Sequence, residues 1–224
     1  MEHSDWYERI KARCRYIPNG ILLSQAVPAG ESKRLVYCSR IDRSHAGFLQ
    51  LLIRKVMPPL RNIFPGMQLE IIGEGPMADH VTKWVEQINL ELGEGTVVMS
   101  GFRERCMAGG FLVLGVGRVA LEALNRGIPV LSVNRERCGP LISSSNYAIL
   151  SQTNFVDVTA PAATAELLVR SISAVRGQYP AIIADTRKIR EKVQTEFAVP
   201  RITNLIVRQY REALQGWKSP LGCT

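Results

Sequence analysis

Residues Phe111–Val133 read FLVLGVGRVALEALNRGIPVLSV, and this stretch decides the fold. An apolar run leads into a Gly-x-Gly turn, which is followed by a helical stretch with one acid and by a second apolar run. Gly115 and Gly117 permit a tight turn with close approach of a ligand, and the amides of a helix that begins near Arg118 can hold an anion. Glu122, just over one turn into that helix, is placed to accept hydrogen bonds from a ribose diol. The stretch is therefore typical of a nucleotide-binding β-α-β unit.

The same residues also fit an ordinary β-α-β crossover that binds no ligand. In that interpretation the two glycines only turn the chain, and Glu122 pairs with Arg118 or Arg126, each four residues away along the helix. A single Gly-x-Gly motif is too short to separate the two interpretations. Both stay open on this unit alone.

Apolar runs alternate with helical stretches as far as Val133. The runs are apolar enough to be buried on both faces of a sheet, which favours parallel strands covered by helices on each side. The sequence therefore predicts an α/β fold with a doubly wound, Rossmann-like parallel sheet. We expect Pro58 and Pro59 to break or kink the first long helix. The predicted strands are Leu35–Ser39, Gln68–Ile72, Val97–Ser100, Phe111–Leu114 and Pro129–Val133, and the predicted helices between them are Ala46–Ile63, Met77–Leu92, Glu104–Ala108 and Arg118–Asn125.

Ligands of such sheets bind beyond the carboxyl ends of the strands. Three loops share that edge, namely Arg40–Ala46, Gly73–Pro76 and Gly115–Gly117. We divide the chain into residues 1–30, a helix and a linker, and residues 31–224, the sheet domain with extra helices at its C-terminal end. The further predicted helices are Ser4–Arg15, Thr164–Val175, Ala181–Phe197 and Pro200–Leu214.

The composition is that of a soluble globular chain with a sizeable core, since the 224 residues are 46% hydrophobic and 21% charged. No apolar run approaches the length that spans a bilayer, and the N-terminal sequence MEHSDWYERIKARCRY is charged where a signal peptide needs an apolar segment. These features predict a cytoplasmic protein. The five cysteines have no C-x-x-C spacing, which argues against a disulfide framework and against a zinc site.

The chain is basic, with a formal net charge of +8. The excess admits two interpretations: a solvated helix face, or attraction to an anionic membrane surface or to nucleic acid. Aromatic residues that would stack on bases are not interleaved with the cations, so we expect no nucleic-acid partner. Peripheral association with the inner face of the membrane stays a possibility that the charge allows. The C-terminal helices contain Arg187, Lys188, Arg190, Lys192, Arg201, Arg208 and Arg211.

Five short motifs follow one another along the chain. They are Tyr16–Ile21 (YIPNGI), Ser39–Asp42 (SRID), Ile71–Pro76 (IIGEGP), Ser100–Arg103 (SGFR) and Glu122–Val130 (EALNRGIPV). In this order and spacing they resemble the C-terminal, donor-binding domain of GT-B fold glycosyltransferases of the group 1, or family four, type. The resemblance covers about residues 17–214. It implies transfer of a sugar from a nucleoside diphosphate sugar to an acceptor hydroxyl.

The resemblance also assigns roles to individual residues. It places Arg40 and the amides from Gly115 to Arg118 on the diphosphate, and His45 where the family has a phosphate-binding lysine. It places Glu122 on the ribose hydroxyls and the backbone around Phe102 and Arg103 beside the base. Positive groups would stabilise the charge that grows on the departing diphosphate, so we expect neither a metal nor another cofactor. The full set assigned to the nucleotide sugar is Arg40, His45, Gly73, Gly75, Phe102, Arg103, Gly115, Val116, Gly117, Arg118 and Glu122.

The sequence departs from the family's pattern in two places, at His45, where the family has a lysine, and at Leu114. The family commonly has two glutamates eight residues apart, and the first of them would fall on Leu114, which has no carboxylate for the usual contact with the donor sugar. The family's enzymes also have an N-terminal domain that binds the acceptor, and here only a helix and a linker precede the donor domain. The alternatives are therefore a non-catalytic subunit or sensor that binds a nucleotide sugar, or a fragment of a sugar-nucleotide epimerase.

Overall fold

The computed structural model of the protein describes residues 17–26, 32–101, 107 and 109–216. Of these, residues 23–195 form one compact unit, and residues 17–22 together with 196–216 form a second. The division into 1–30 and 31–224 that the sequence suggested stays a prediction. The predicted helix Ser4–Arg15 lies outside the described residues. So does the predicted helix Glu104–Ala108, except for Met107.

One sheet forms the centre of the larger unit. Its strands are β1 (Arg34–Cys38), β2 (Gln68–Ile72), β3 (Val97–Ser100), β4 (Leu112–Gly115), β5 (Val130–Val133) and β6 (Cys138–Leu141). Within the described part of the chain, the order across the sheet is β3-β2-β1-β4-β5-β6. The first five strands pair in parallel, as the apolar runs predicted, and β6 pairs with β5 in the antiparallel direction. The predicted doubly wound α/β fold is thus confirmed.

Strand β6 corrects the prediction of a purely parallel sheet. The segment reads CGPL, and because of its glycine and proline it does not form the continuous apolar run that marks the other strands. Proline has no amide hydrogen and is tolerated in a strand mainly at the edge of a sheet, which is where β6 lies. The residues after β5 therefore return beside it and close that edge of the sheet.

Helices cover both faces of the sheet. Right-handed crossovers that run in opposite directions along a sheet place their helices on opposite faces, so the helices after β1 and β2 lie opposite the helix after β4. The helices are α1 (Arg43–Leu51), which runs through a π-helical segment (Leu52–Val56) into α2 (Met57–Ile63), and then α3 (Ala78–Leu92), α4 (Gly117–Asn125), α5 (Tyr147–Gln152), α6 (Ala165–Gly177), α7 (Tyr179–Phe197) and α8 (Val199–Gly216).

The largest apolar core lies between one face of the sheet and α1, α2, α3 and α6. Alternate residues of β1 point to it, with Leu35 and Tyr37 in this core and Val36 buried outside it. This alternation is the period of two expected of a strand, and it explains why a strand buried on both faces reads as a continuous apolar run.

The first long helix is not broken at Pro58 and Pro59, since it continues to Ile63. The residues just before the prolines instead form the π-helical segment, where the Met57 amide donates to the Leu52 carbonyl. The prolines are the second and third residues of α2, so the helix changes its hydrogen-bond pattern at the position where the sequence predicted an irregularity.

The smaller unit joins the described N-terminal residues to α8. Ile21 forms a parallel bridge with Ala198, its amide donates to the Phe197 carbonyl at 2.8 Å, and its carbonyl accepts from the Val199 amide at 3.1 Å. Helix α8 exposes apolar side chains, with Tyr210 68% and Leu214 66% exposed. Among the helices of the described residues, none has the length and hydropathy needed to cross a bilayer.

Two glycines allow the loops after β1 and β2 to lie in direct backbone contact. A Cβ atom on Gly73 would overlap the Ser39 carbonyl oxygen, and one on Gly75 would overlap the Ile41 carbonyl oxygen. Backbone hydrogen bonds join the same loops, from the Ser39 amide to Ile72 and from the Ile41 amide to Glu74, both at 3.0 Å. Gly73 and Gly75 thus have a packing role at this edge of the sheet.

We predict that Gly73→Ala lowers the free energy of unfolding by about 1 to 3 kcal/mol, because the backbone of Ser39 cannot rotate away as a side chain can. Gly47→Ala is the matched control: it lies in α1 with open space around its Cα. We expect this control to raise the free energy of unfolding by about 0.5 to 1 kcal/mol. Urea denaturation of both variants measures the difference, and equal stabilities would contradict the packing role of Gly73.

Candidate functional site

A cleft of about 460 Å³ opens at the carboxyl end of the sheet, between β1 and β4. The chain leaves β1 toward β2 on one side and reaches β4 on the other, so the cleft lies at the point where the strand order reverses. Open α/β sheets bind their ligands at such a point because the diverging loops leave a crevice there. The lining residues are Tyr37, Cys38, Ser39, Arg40, His45, Gly115, Val116, Val119, Val133, Asn134, Arg135 and Glu136.

Four residues that the sequence assigned to the ligand line this cleft, namely Arg40, His45, Gly115 and Val116. Arg40 is exposed in the loop after β1 and brings a fixed positive charge to the wall. Tyr37 lies at the base, where burial raises the pKa of its hydroxyl to about 12. The phenol therefore stays neutral at physiological pH.

Asp42 positions His45 at the start of α1. The Asp42 carboxylate is the N-cap, and it accepts from the Ser44 hydroxyl at 2.6 Å, from the Ser44 amide at 2.9 Å and from the His45 amide at 3.2 Å. His45 Nδ1 lies 2.9 Å from the same oxygen. The Ser44 hydroxyl and then the His45 ring hold the pKa of the Asp42 carboxyl well below its usual range. The imidazole is thereby held at the cleft wall in one orientation.

The start of α4 forms the opposite wall. Gly117 adopts φ +59°, a left-handed conformation that strongly favours glycine. The first amides of a helix have no partner inside the helix, but the Gly117 amide donates to the Asn154 carbonyl at 2.7 Å. The assignment of all the amides from Gly115 to Arg118 to a diphosphate stays a prediction, and for Gly117 it would require this bond to open.

Glu122 does not line the cleft. It lies three residues after Val119, which does, and so occupies the same side of α4 one turn farther out. Its carboxylate accepts from Arg118 Nε at 2.6 Å, which is the pairing proposed for an ordinary crossover. The Arg118 side chain is 68% exposed, whereas the Glu122 side chain is 19% exposed. A ligand hydroxyl that bonded this carboxylate would have to replace Arg118.

Leu114 lies in β4 with no exposed surface and belongs to the apolar core. The position where the resembling family commonly has its first glutamate thus points into the sheet's core in this protein. A carboxylate there would be buried without a partner, which is strongly unfavourable. The substitution is consistent with the packing around β4.

The sequence motifs assigned four of the twelve lining residues to the ligand. Three of the other eight, Asn134, Arg135 and Glu136, form a loop directly after β5. The Asn134 carboxamide oxygen accepts from the amides of Glu136 and Arg137, both at 2.8 Å, which turns the loop back toward β6. The signal that would have found them is the position of β5, because its carboxyl end meets the same edge as those of β1 and β4.

Four more of the assigned residues, Gly73, Gly75, Gly117 and Arg118, are not among those that line the cleft. Gly73 and Gly75 support the loop after β1 through their backbone contacts. Phe102 and Arg103 lie outside the described residues. Within the described residues, no cluster of three or more His, Cys, Asp or Glu side chains is arranged to hold a metal ion. The expectation of a metal-independent site stays a prediction.

We predict that Asp42→Ala lowers stability at pH 7 and that the difference from the wild type shrinks as the pH falls. The folded-state pKa of Asp42 is depressed, so its stabilising effect is present above the unfolded-state pKa of about 3.9 and is lost as acid protonates the carboxylate. Urea unfolding followed from pH 7 down to about pH 2 measures the change, because the effect is fully lost only as the pH falls through the depressed folded-state pKa. Ser44→Ala should change stability in the same direction, and a difference independent of pH would contradict the prediction.

Solved structures with the same fold are glycosyltransferases. Anabaena HepE bound to UDP-glucose matches with a TM-score of 0.62 at 18% identity, covering 88% of this chain and 57% of its own. The pneumococcal O-GlcNAc transferase GtfA bound to UDP and GlcNAc matches with a TM-score of 0.62 at 14% identity, covering 87% of this chain and 38% of its own. S. aureus TarM, in a complex that includes UDP, matches with a TM-score of 0.57 at 16% identity, covering 92% of this chain and 42% of its own.

These structures have the GT-B fold, and this chain has the fold of one half of it. The chain spans between 38% and 57% of the length of the three structures. No protein-family model matches the chain, and no curated protein matches it in sequence. The similarity is one of fold, since identity is 14% to 18%.

Proposed function

We propose that this chain is the donor-binding domain of a glycosyltransferase and that it binds a nucleoside diphosphate sugar in the cleft between β1 and β4. The observation that supports this most is the position of Arg40, His45, Gly115 and Val116, which the motifs assigned to the ligand and which line one cleft. The GT-B fold adds support, because similar structures contain UDP or a UDP-sugar. UDP is therefore the first nucleotide to test.

The cleft lining carries positive charge. Two arginines, Arg40 and Arg135, contribute fixed positive charge to the lining, which also includes His45 and Glu136. Positive groups fixed around a diphosphate stabilise the charge that develops on it as the sugar departs, and they act before reaction without reorganisation. We propose that the departing diphosphate is stabilised in this way without a metal ion.

Glu122 would hold the ribose. Because it lies one helical turn beyond Val119, a nucleotide with its diphosphate in the cleft would extend along α4 toward this carboxylate. The ribose hydroxyls would then replace Arg118 as its donors. The base would lie farther along, beside the segment around Phe102 and Arg103 that the resemblance indicates.

Transfer itself would need an acceptor-binding domain. The chain corresponds to part of the length of the structures it matches, and we propose that the whole protein closes such a domain over this cleft. A second candidate is a nucleotide-sugar-binding subunit without transferase activity, and the buried Leu114 favours it. Hydrolysis or transfer of the donor sugar by a form that includes an acceptor domain would separate the two candidates.

Titration calorimetry of the purified chain with UDP, GDP and ADP tests the proposed ligand. We expect one diphosphate to bind and Glu122→Ala to weaken it by about 1 to 3 kcal/mol, the range for loss of a hydrogen-bond partner. Glu136→Ala is the matched control, since it removes a carboxylate from the cleft rim. It should leave binding unchanged or strengthen it, because it removes negative charge facing an anion.

Chelation separates the metal-independent site from a metal-dependent one in the same titration. UDP affinity should be the same with and without EDTA. Failure of all three diphosphates to bind, or equal effects of the two glutamate variants, would contradict the proposed site while leaving the fold unchanged.

We predict that His45→Lys strengthens diphosphate binding, because it places a cation with three N–H donors at the cleft wall. His45→Gln is the matched uncharged variant and should not strengthen binding. UDP affinity of the three proteins at pH 8, measured by titration calorimetry, checks this. Equal affinities for all three proteins would mean that the side chain at position 45 has no part in binding the diphosphate.

A further inference from the structure

Residues Thr153–Val156 form a turn with an unusual backbone. Asn154 has φ +53° and Phe155 has φ +61°, and they are the two non-glycine residues of the described chain with positive φ. The left-handed conformation is tolerated by asparagine but unfavourable for a bulky aromatic residue. Such a conformation persists only where the surroundings determine it, and it is concentrated at functional sites.

Several contacts hold the turn in this conformation. The Phe155 side chain is 1% exposed, and its ring centroid lies 6.0 Å from that of Tyr147. The Phe155 amide donates to the Leu150 carbonyl at 2.6 Å. Thr153 Oγ1 donates to the carbonyls of Leu150, at 3.1 Å, and Val156, at 2.7 Å. The turn is thus fixed by burial on one side and by its own hydrogen bonds.

The turn is also bonded to both strands that border the cleft on the α4 side. The Asn154 carbonyl accepts from the Gly117 amide at 2.7 Å, at the point where β4 turns into α4. The Phe155 carbonyl accepts from the Ser132 hydroxyl at 2.6 Å. Ser132 in β5 is the register partner of Gly115 in β4. The carbonyls of two successive residues, Asn154 and Phe155, thus accept hydrogen bonds from residues at the carboxyl ends of β4 and β5.

We propose that the Thr153–Val156 turn is a positioning element for the diphosphate site, and that the Asn154 carbonyl fixes the Gly115–Gly117 loop before the ligand arrives. This inference rests on the proposed function. Gly117 can adopt many conformations because it has no side chain, and the bond from Asn154 selects the one at φ +59°. A loop fixed in advance loses less conformational entropy on binding, so affinity rises without any contact between the turn and the ligand.

Substitutions at Asn154 test the proposal because its side chain is exposed and its backbone carbonyl is the acceptor for the Gly117 amide. Asn154→Val disfavours positive φ and should weaken UDP binding by about tenfold. Asn154→Gly adopts positive φ readily and should bind as the wild type does. Gln152→Val is the matched control, since it places the same side chain at an exposed position of α5 near the turn. UDP affinity is measured at 25 °C on protein whose circular dichroism shows it to be folded.

Amide hydrogen exchange of Gly117 without nucleotide gives a readout that does not depend on binding. We expect a protected amide in the wild type and in Asn154→Gly, and faster exchange in Asn154→Val. A merely structural turn would lower the melting temperature of Asn154→Val but leave the UDP affinity of the folded protein unchanged.

Each outcome decides between the two proposals. If the wild type binds UDP and Asn154→Val binds equally well, or if the wild-type Gly117 amide exchanges freely, the positioning role is wrong and the proposed function stands. If the wild type binds none of UDP, GDP and ADP, the proposed function fails, and the positioning role fails with it even where Gly117 is protected.

Discussion

Strand β1 is paired in parallel on both of its sides, with β2 and with β4, and the rest of the larger unit depends on this arrangement. Its residues from Leu35 to Cys38 are buried, so its backbone amides and carbonyls must find partners in the neighbouring strands rather than in water. The chain adds β2 and β3 on one side of β1 and then β4 and β5 on the other side. The loops after β1 and β4 therefore lead in opposite directions. The cleft is a consequence of that divergence.

The two walls of the cleft are stiffened in different ways. On the β1 side, Gly73 and Gly75 let two loops approach until their backbones hydrogen-bond, and Asp42 caps α1 while it orients His45. On the β4 side, the stiffening comes from a turn much later in the chain, through the Asn154 carbonyl. Both devices use backbone groups, so the shape of the cleft is set largely before any ligand is present. Such preorganisation is favourable for binding a ligand whose charge must be met at fixed points.

The cleft lining carries charges of both signs, since it includes Arg40, Arg135 and Glu136. Arg135 Nε lies 3.2 Å from a Glu136 oxygen, and both side chains are exposed, so this pair is weak. In the Arg118–Glu122 pair on α4 the arginine side chain is 68% exposed, whereas the glutamate side chain is 19% exposed. The diphosphate and ribose that we propose for this site would have to replace the partners in these pairs.

Local patterns in the amino-acid sequence were enough to predict the five parallel strands, most helices of the described residues and the loops at one edge of the sheet, but they did not predict α5. Apolar periodicity and turn residues are local properties, and β2 and β3 begin and end where the sequence predicted. The antiparallel strand β6 was not predicted, because Gly139 and Pro140 interrupt any apolar run there. This segment is a strand through its pairing with β5. Residues 134–136 line the cleft because they connect β5 to β6, where the chain reverses its direction.

What only the tertiary structure decided is which polar groups meet. The sequence by itself left Glu122 with two interpretations, and the folded chain pairs it with Arg118 while leaving it on the helix side that faces the cleft. The bond between Gly117 and Asn154 has no sequence signature, because it joins backbone atoms of segments that packing alone brings together. Periodicity is encoded residue by residue, whereas a contact between distant backbone groups depends on how every element between them is packed.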